Sequence, residues 1–147
     1  MTAKEYLEQV RHKQTEISNL CRDKESMREM LFSLGGCAAE GERVQSSRNI
    51  DKYGSLYGCI DEMDRKIDKQ IAELIEFKMK VSREINDLKT DRYMIVLNCR
   101  YIHFMSWEDI ADSAFGSRYS VRHILKIHGL ALLEFQKKYK KILETEE

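Results

Sequence analysis

A chain of 147 residues has room for one domain, or for a small domain with an extension. Its 25 lysines and arginines are balanced by 25 aspartates and glutamates, so no global charge draws it to nucleic acid, and any such attraction must come from local clustering. The absence of proline, in a chain rich in Glu, Lys, Leu, Ile and Met, favours long unbroken helices and predicts an all-α fold.

No apolar run approaches the roughly twenty residues that a membrane-spanning helix needs, and Lys4, Glu5 and Glu8 interrupt the start of the chain. A soluble, cytosolic protein with no membrane partner is expected. Cys21, Cys37, Cys59 and Cys99 match no zinc-finger or ribbon spacing. Cys99 and His103 stand four residues apart, but two ligands do not make a zinc site. Free, buried or half-buried thiols are expected, with no metal and no cofactor.

Residues 1–34 read as a helix. Leu7, Val10, Ile17, Leu20, Met27, Leu31 and Leu34 recur at three- and four-residue steps and their sums, which places them on one stripe. Thr2 and Glu5 have capping-box spacing at its start, and Gly35 and Gly36 end it. Residues 35–57 lose the apolar period and concentrate glycine, serine and asparagine, so a loop is expected, with Arg43 and Arg48 exposed to solvent. In residues 58–88 the period returns through Ile60, Ile67, Ile71, Leu74, Val81, Ile85 and Leu88 over about four heptads. This stripe suits either an antiparallel hairpin with residues 1–34 or a homodimer through 58–88. With no glycine or proline following, this helix is expected to run on into the next with only a kink.

Residues 89–147 form the expected C-terminal module, separate from a helical segment 1–88. Thr90 or Asp91 caps a helix reaching about His103, with Met94, Leu97 and Tyr101 on its apolar face. Two short helices then follow, Trp107 to about Ala114 and about Val121 to Leu132. Ser106 caps the first, with Asp109 positioned to reach back, and Ser120 caps the second. Ile110, Ala111, Ile124, Ile127 and Ala131 would pack the two together, and Trp107 is expected to anchor them to helix 89–103. This is the layout of a DNA-reading helix-turn-helix. Arg122, His123 and Lys126 fall outside the inward stripe and Val121 sits at the tip, so that Arg122 or Lys126 would meet guanine and Val121 a thymine methyl. The helix start at Ser106, and Arg118, are candidate backbone contacts. Lys137, Lys138, Lys140 and Lys141 add charge, and between Ser117 and Lys141 the only acid is Glu134.

Arg100-Tyr101-Ile102, Ser106-Trp107-Glu108-Asp109-Ile110-Ala111, Tyr119-Ser120, Ile127-His128-Gly129 and Ala131-Leu132 together carry a likeness. The segment resembles the region-4 helix-turn-helix of sigma-70 factors, and is more similar to small phage and prophage sigma-like proteins, the group of ArpU- and RinA-type late-gene transcription regulators. It spans roughly residues 92–135. The resemblance implies a recognition helix at about Ser120 to Leu132, double-stranded DNA as partner, and a role in phage or prophage gene expression in the bacterial cytoplasm; RNA polymerase is a further candidate partner, as the target of a helical scaffold. The stretch from Ile110 to Ser120 is longer than in that pattern by about one helical turn, which brings Arg118 forward as a contact. No phosphate loop, HExxH or nucleophile elbow is present, so no catalytic role is expected. Other readings are a DNA-packaging subunit akin to a small terminase, and a helical protein-interaction scaffold.

Overall fold

A computed structural model describes residues 1–35 and 48–145, and all of its regular structure there is helical. The protein is all-α. No helix among the described residues is long and apolar enough to cross a membrane.

Helix α1 spans Ala3–Gly35. Its start is held reciprocally: the Thr2 N–H donates to Glu5 Oε2 at 2.7 Å, and the Glu5 N–H donates to Thr2 Oγ1 at 3.3 Å. These bonds satisfy donors that the first turn otherwise leaves open. They also hold the Glu5 carboxyl below its usual range, the Thr2 N–H contributing most. Leu7, Val10 and Ile17 of the expected stripe are buried, while Leu20, Met27 and Leu31 are half-buried.

Helix α2 spans Arg48–Asn86. The expected loop is therefore corrected over residues 48–57, which are helical; residues 36–47 and the side chain of Arg48 lie outside the described part. The apolar stripe begins earlier than Ile60, through half-buried Tyr53 and Leu56 at three- and four-residue steps. That burial outweighs the cost of Gly54 and Gly58, about 1 kcal/mol each in a helix interior. Further along, Ile67, Leu74, Val81 and Ile85 are buried but Ile71 is exposed. Cys21 and Cys59 are exposed, against the expected burial, because both fall on the outer faces of their helices; Cys99 is half-buried.

The chain divides into two compact units. One comprises residues 15–73, where Ile17, Ile60 and Ile67 are buried and Lys24 donates to the Asp64 carboxylate. The other joins residues 1–14 to residues 74–147. It contains the end of α2, then α3 (Asp91–Leu97) extended by a π-helical turn, Asn98–Ile102. Next come α4 (Trp107–Asp109), extended by a second π-helical turn, Ile110–Ala114, then α5 (Val121–Lys138) and α6 (Lys140–Thr145).

Within this second unit α2 does not run on into α3: it stops at Asn86, and residues 87–90 turn the chain. The stop needs neither glycine nor proline because α5 satisfies the polar groups that the turn exposes. Glu134 Oε1 accepts the Lys89 N–H at 3.0 Å. Lys138 donates to the Asp87 carbonyl and pairs with its carboxylate at 2.6 Å. The Tyr139 hydroxyl reaches Asp87 Oδ2 at 2.9 Å and the Glu84 carbonyl at 3.1 Å. The Lys138 contact, with Tyr139 adding, keeps the Asp87 carboxyl below its ordinary range.

Tyr6 enters the same unit from α1. Its ring is fully buried, edge-on to Phe77 at 5.6 Å and 6.1 Å from the Phe135 ring, and its hydroxyl donates to Glu84 Oε2 at 2.8 Å. On α3, Val96 and Leu97 are both fully buried, while Met94 is only half-buried. The expected face therefore holds for Leu97 and Tyr101, which are buried, and only in part for Met94, while Val96 adds a buried side chain beside it. Phe135→Ala removes a fully buried ring from this unit and should cost about 3–5 kcal/mol in urea unfolding. A loss below about 1 kcal/mol would show that Phe135 does not hold the unit together.

Candidate nucleic-acid interface

The segment from Ser106 to Leu132 folds around a small core of Val96, Ile110, Ala111, Ile124 and Ile127. Both expected caps form. Ser106 Oγ accepts the Asp109 N–H at 3.1 Å, and Ser120 Oγ accepts the His123 N–H at 3.3 Å. Asp109 differs in detail from a capping box: its carboxylate accepts from the Ser106 hydroxyl at 2.6 Å instead of reaching the Ser106 N–H. Ala131 is buried, but one turn beyond this core, so it does not join the two helices as expected. The second helix continues past Leu132 to Lys138, because Phe135 extends the buried stripe.

Trp107 packs against the core as an anchor. The Arg100 guanidinium lies 4.4 Å from its ring centre, and His128 approaches it edge-on at 4.9 Å. The Arg100 guanidinium also donates to the Met105 carbonyl at 2.9 Å, which braces the link between α3 and α4. His128 Nε2 lies 2.9 Å from the Tyr101 hydroxyl. Burial, reinforced by the charges of Arg100 and Lys4, pulls His128 from 6.5 down to about 4, and burial pushes the Tyr101 phenol up to about 12. Both rings are therefore neutral near pH 7.

The candidate contact residues fall into three groups. Arg122 and Lys126 are exposed on the first turns of α5, Arg118 is exposed just before it, and none forms an ion pair among the described residues. Val121 and His123 are partly committed elsewhere: Val121 packs on the core, and His123 stacks on Tyr119 with ring centres 4.7 Å apart. The Ser106 hydroxyl is taken by Asp109, and the exposed carboxylates of Glu108 and Asp109 beside it oppose a phosphate there.

The basic cluster is narrower than its sequence span. Lys138 pairs with Asp87 and Lys140 with Glu144. Lys137 stands about 24 Å along α5 from Val121 at 1.5 Å per residue, more than two Debye lengths at physiological salt. The unpaired charge beside the first turns of α5 is that of Arg118, Arg122 and Lys126, joined by a residue that the linear order conceals, Arg92. Its guanidinium sits 5.8 Å from the Tyr119 ring centre. Tyr119 and His123 stand four residues apart, so their meeting was readable from spacing; Arg92 is 27 positions before Tyr119, and no local pattern announces it.

Set against protein-family models, curated proteins and solved structures, the chain matches none.

The neutral His128 makes stability depend on pH with a definite sign. An unfolded histidine takes up its proton near 6.5, whereas the folded one waits until about 4. Between those values the unfolded chain binds more protons, so stability falls as pH drops through that window. Thermal melts across it should show a falling Tm, and His128→Gln should flatten the slope relative to the parent. An unchanged slope in the variant would mean that His128 is not held neutral.

Proposed function

We propose that this chain is a sequence-specific DNA-binding transcription regulator, of phage or prophage type, whose residues 107–114 and α5 act as a helix-turn-helix. The reading is carried by one observation. Two helices with side-chain caps share the core of Val96, Ile110, Ala111, Ile124 and Ile127, and that packing leaves Arg122 and Lys126 exposed and unpaired on the first turns of α5. The likeness to sigma-type modules supports the same assignment and supplies the phage context.

In this reading the first turns of α5 enter the major groove. Arg122 is the principal base reader, because a guanidinium fits the two acceptors of guanine with two parallel bonds. Lys126, one turn further in, contributes a single charged contact. His123 is secondary, since its ring is stacked on Tyr119. Within the second unit, contacts such as Tyr6 with Glu84 and Lys13 with Phe77 advance along α1 as they recede along α2, which supports an antiparallel pairing of residues 6–13 with 77–84. In the same unit Ile75 and Met79 stand exposed four residues apart on α2, which suits contact with a second copy and hence recognition of paired half-sites.

The test is selection of bound duplexes from a random-sequence pool, followed by affinity measurement on the selected site. Parent affinity should fall steeply with salt. Arg122→Ala should weaken the selected site by about 1–3 kcal/mol while leaving mixed-sequence binding much less affected. If the pair Arg122→Ala and Lys126→Ala binds the selected site as the parent does, α5 is not the reading helix.

A further inference from the structure

Beside the proposed reading helix is an open cleft of about 510 Å³, lined by Arg92, Ala114, Phe115, Gly116, Arg118 and Tyr119. Four of the six lining residues come from 114–118, the stretch that lengthens the turn before Ser120. We propose that this cleft is a clamp for one backbone phosphodiester of DNA, gripped jointly by the guanidinium groups of Arg92 and Arg118. The inference rests on the DNA-binding reading and deepens it by assigning a contact that positions the duplex without reading it.

Three features point to an oxyanion. Two arginines from separate elements, one on α3 and one on the turn before α5, line one cleft, and no carboxylate lines it. Neither arginine forms an ion pair among the described residues, so their donors are not already taken by acids. The Arg92 guanidinium lies over the Tyr119 ring, whose position is set in turn by Phe115, edge-on at 5.4 Å, and by stacking with His123. Such stacking leaves the guanidinium edge free and reduces the freedom lost when it binds. Arginine forks match phosphate oxygens in bidentate fashion, as a lysine point charge does not.

The backbone supports the shape. Gly116 and Ser117 have φ of 56° and 57°, consecutive left-handed residues that turn the chain immediately before Arg118. The Ser117 hydroxyl donates to Asp112 Oδ1 at 2.9 Å, and its N–H bonds to the Ala111 carbonyl at 2.9 Å, which holds the turn to the preceding element. Phosphate contacts of this kind fix the register of a protein on duplex and carry no sequence information. The clamp would set where Arg122, four residues beyond Arg118, meets the base edges.

The test uses the full chain and a short labelled mixed-sequence duplex, with affinity followed across a salt series. One shared phosphate predicts that the double variant Arg92→Gln/Arg118→Gln reduces the slope of log affinity against log salt by about 0.9, the loss of one phosphate, and that each single variant, which keeps one guanidinium on that phosphate, reduces it by less. Arg118→Lys should recover the slope but only part of the affinity. Because both side chains lie at the surface, variants with the parent's melting temperature are expected. A parent-like slope in the double variant, with the parent binding duplex normally, overturns the clamp and leaves the DNA reading standing. Failure of the parent to bind duplex at low salt overturns both. A titration with inorganic phosphate distinguishes the sources: saturable shifts of the Arg92 and Arg118 Nε–H resonances without any change in duplex binding would assign the cleft to a free phosphate compound, and would also overturn the clamp.

Discussion

One stripe of α5 governs the second compact unit. Ile124, Ile127, Ala131 and Phe135 follow one another at three- and four-residue steps and are all buried, so the helix has a single rotational setting about its own axis. Its first half closes the small core with Val96, Ile110 and Ala111; its second half brings Phe135 to Tyr6. Rotating the helix by one position to present a different outer face would withdraw all four side chains at once. The exposure of Arg122 and Lys126 is therefore a by-product of burial on the other side, as is the position of Glu134 and Lys138 against the turn at residues 87–90.

Charge in this chain has to be counted by pairing as well as by type. The basic run near the C-terminus looks like an electrostatic footprint when read linearly, yet Lys138 and Lys140 are each matched with a carboxylate. Lys138 secures the turn that separates α2 from α3. What remains available near the start of α5 is a compact group dominated by arginine, with Arg92 delivered from a different helix. An exposed lysine pair contributes little to stability on its own; the Lys138–Asp87 contact matters because it acts with Tyr139 and Glu134 on one short segment.

Much of the helical order was legible because the signals are local. Thr2 with Glu5, Ser106 with Asp109 and Ser120 with His123 lie three residues apart, and each cap formed. The stripes of α1 and α2 were readable for the same reason. What escaped depended on distant partners. The helical state of residues 48–57 runs against Gly54 and Ser55, and the partial burial of Tyr53 and Leu56, with buried Ile60 beyond, explains why. The stop after Asn86 carries no local breaker, because its hydrogen-bond partners lie 45 to 55 positions away. The π-turns after Leu97 and Asp109 shift register without any marker residue. At the candidate interface Arg122 and Lys126 could be placed from periodicity alone, whereas Arg92 could be found only once α3 and the turn at Tyr119 were side by side.

The second unit is discontinuous, and this has a consequence for how the protein is made. Phe135 is polymerised 129 positions after its ring partner Tyr6, and the Met1 nitrogen bonds to a carbonyl 142 positions on, at Leu143. At about 5–20 residues per second, the nascent amino-terminal segment waits on the order of ten seconds for its partners. Residues 15–73 are complete well before that and can pair first. Until Phe135 and Leu143 have been made, the amino-terminal side chains lack those partners.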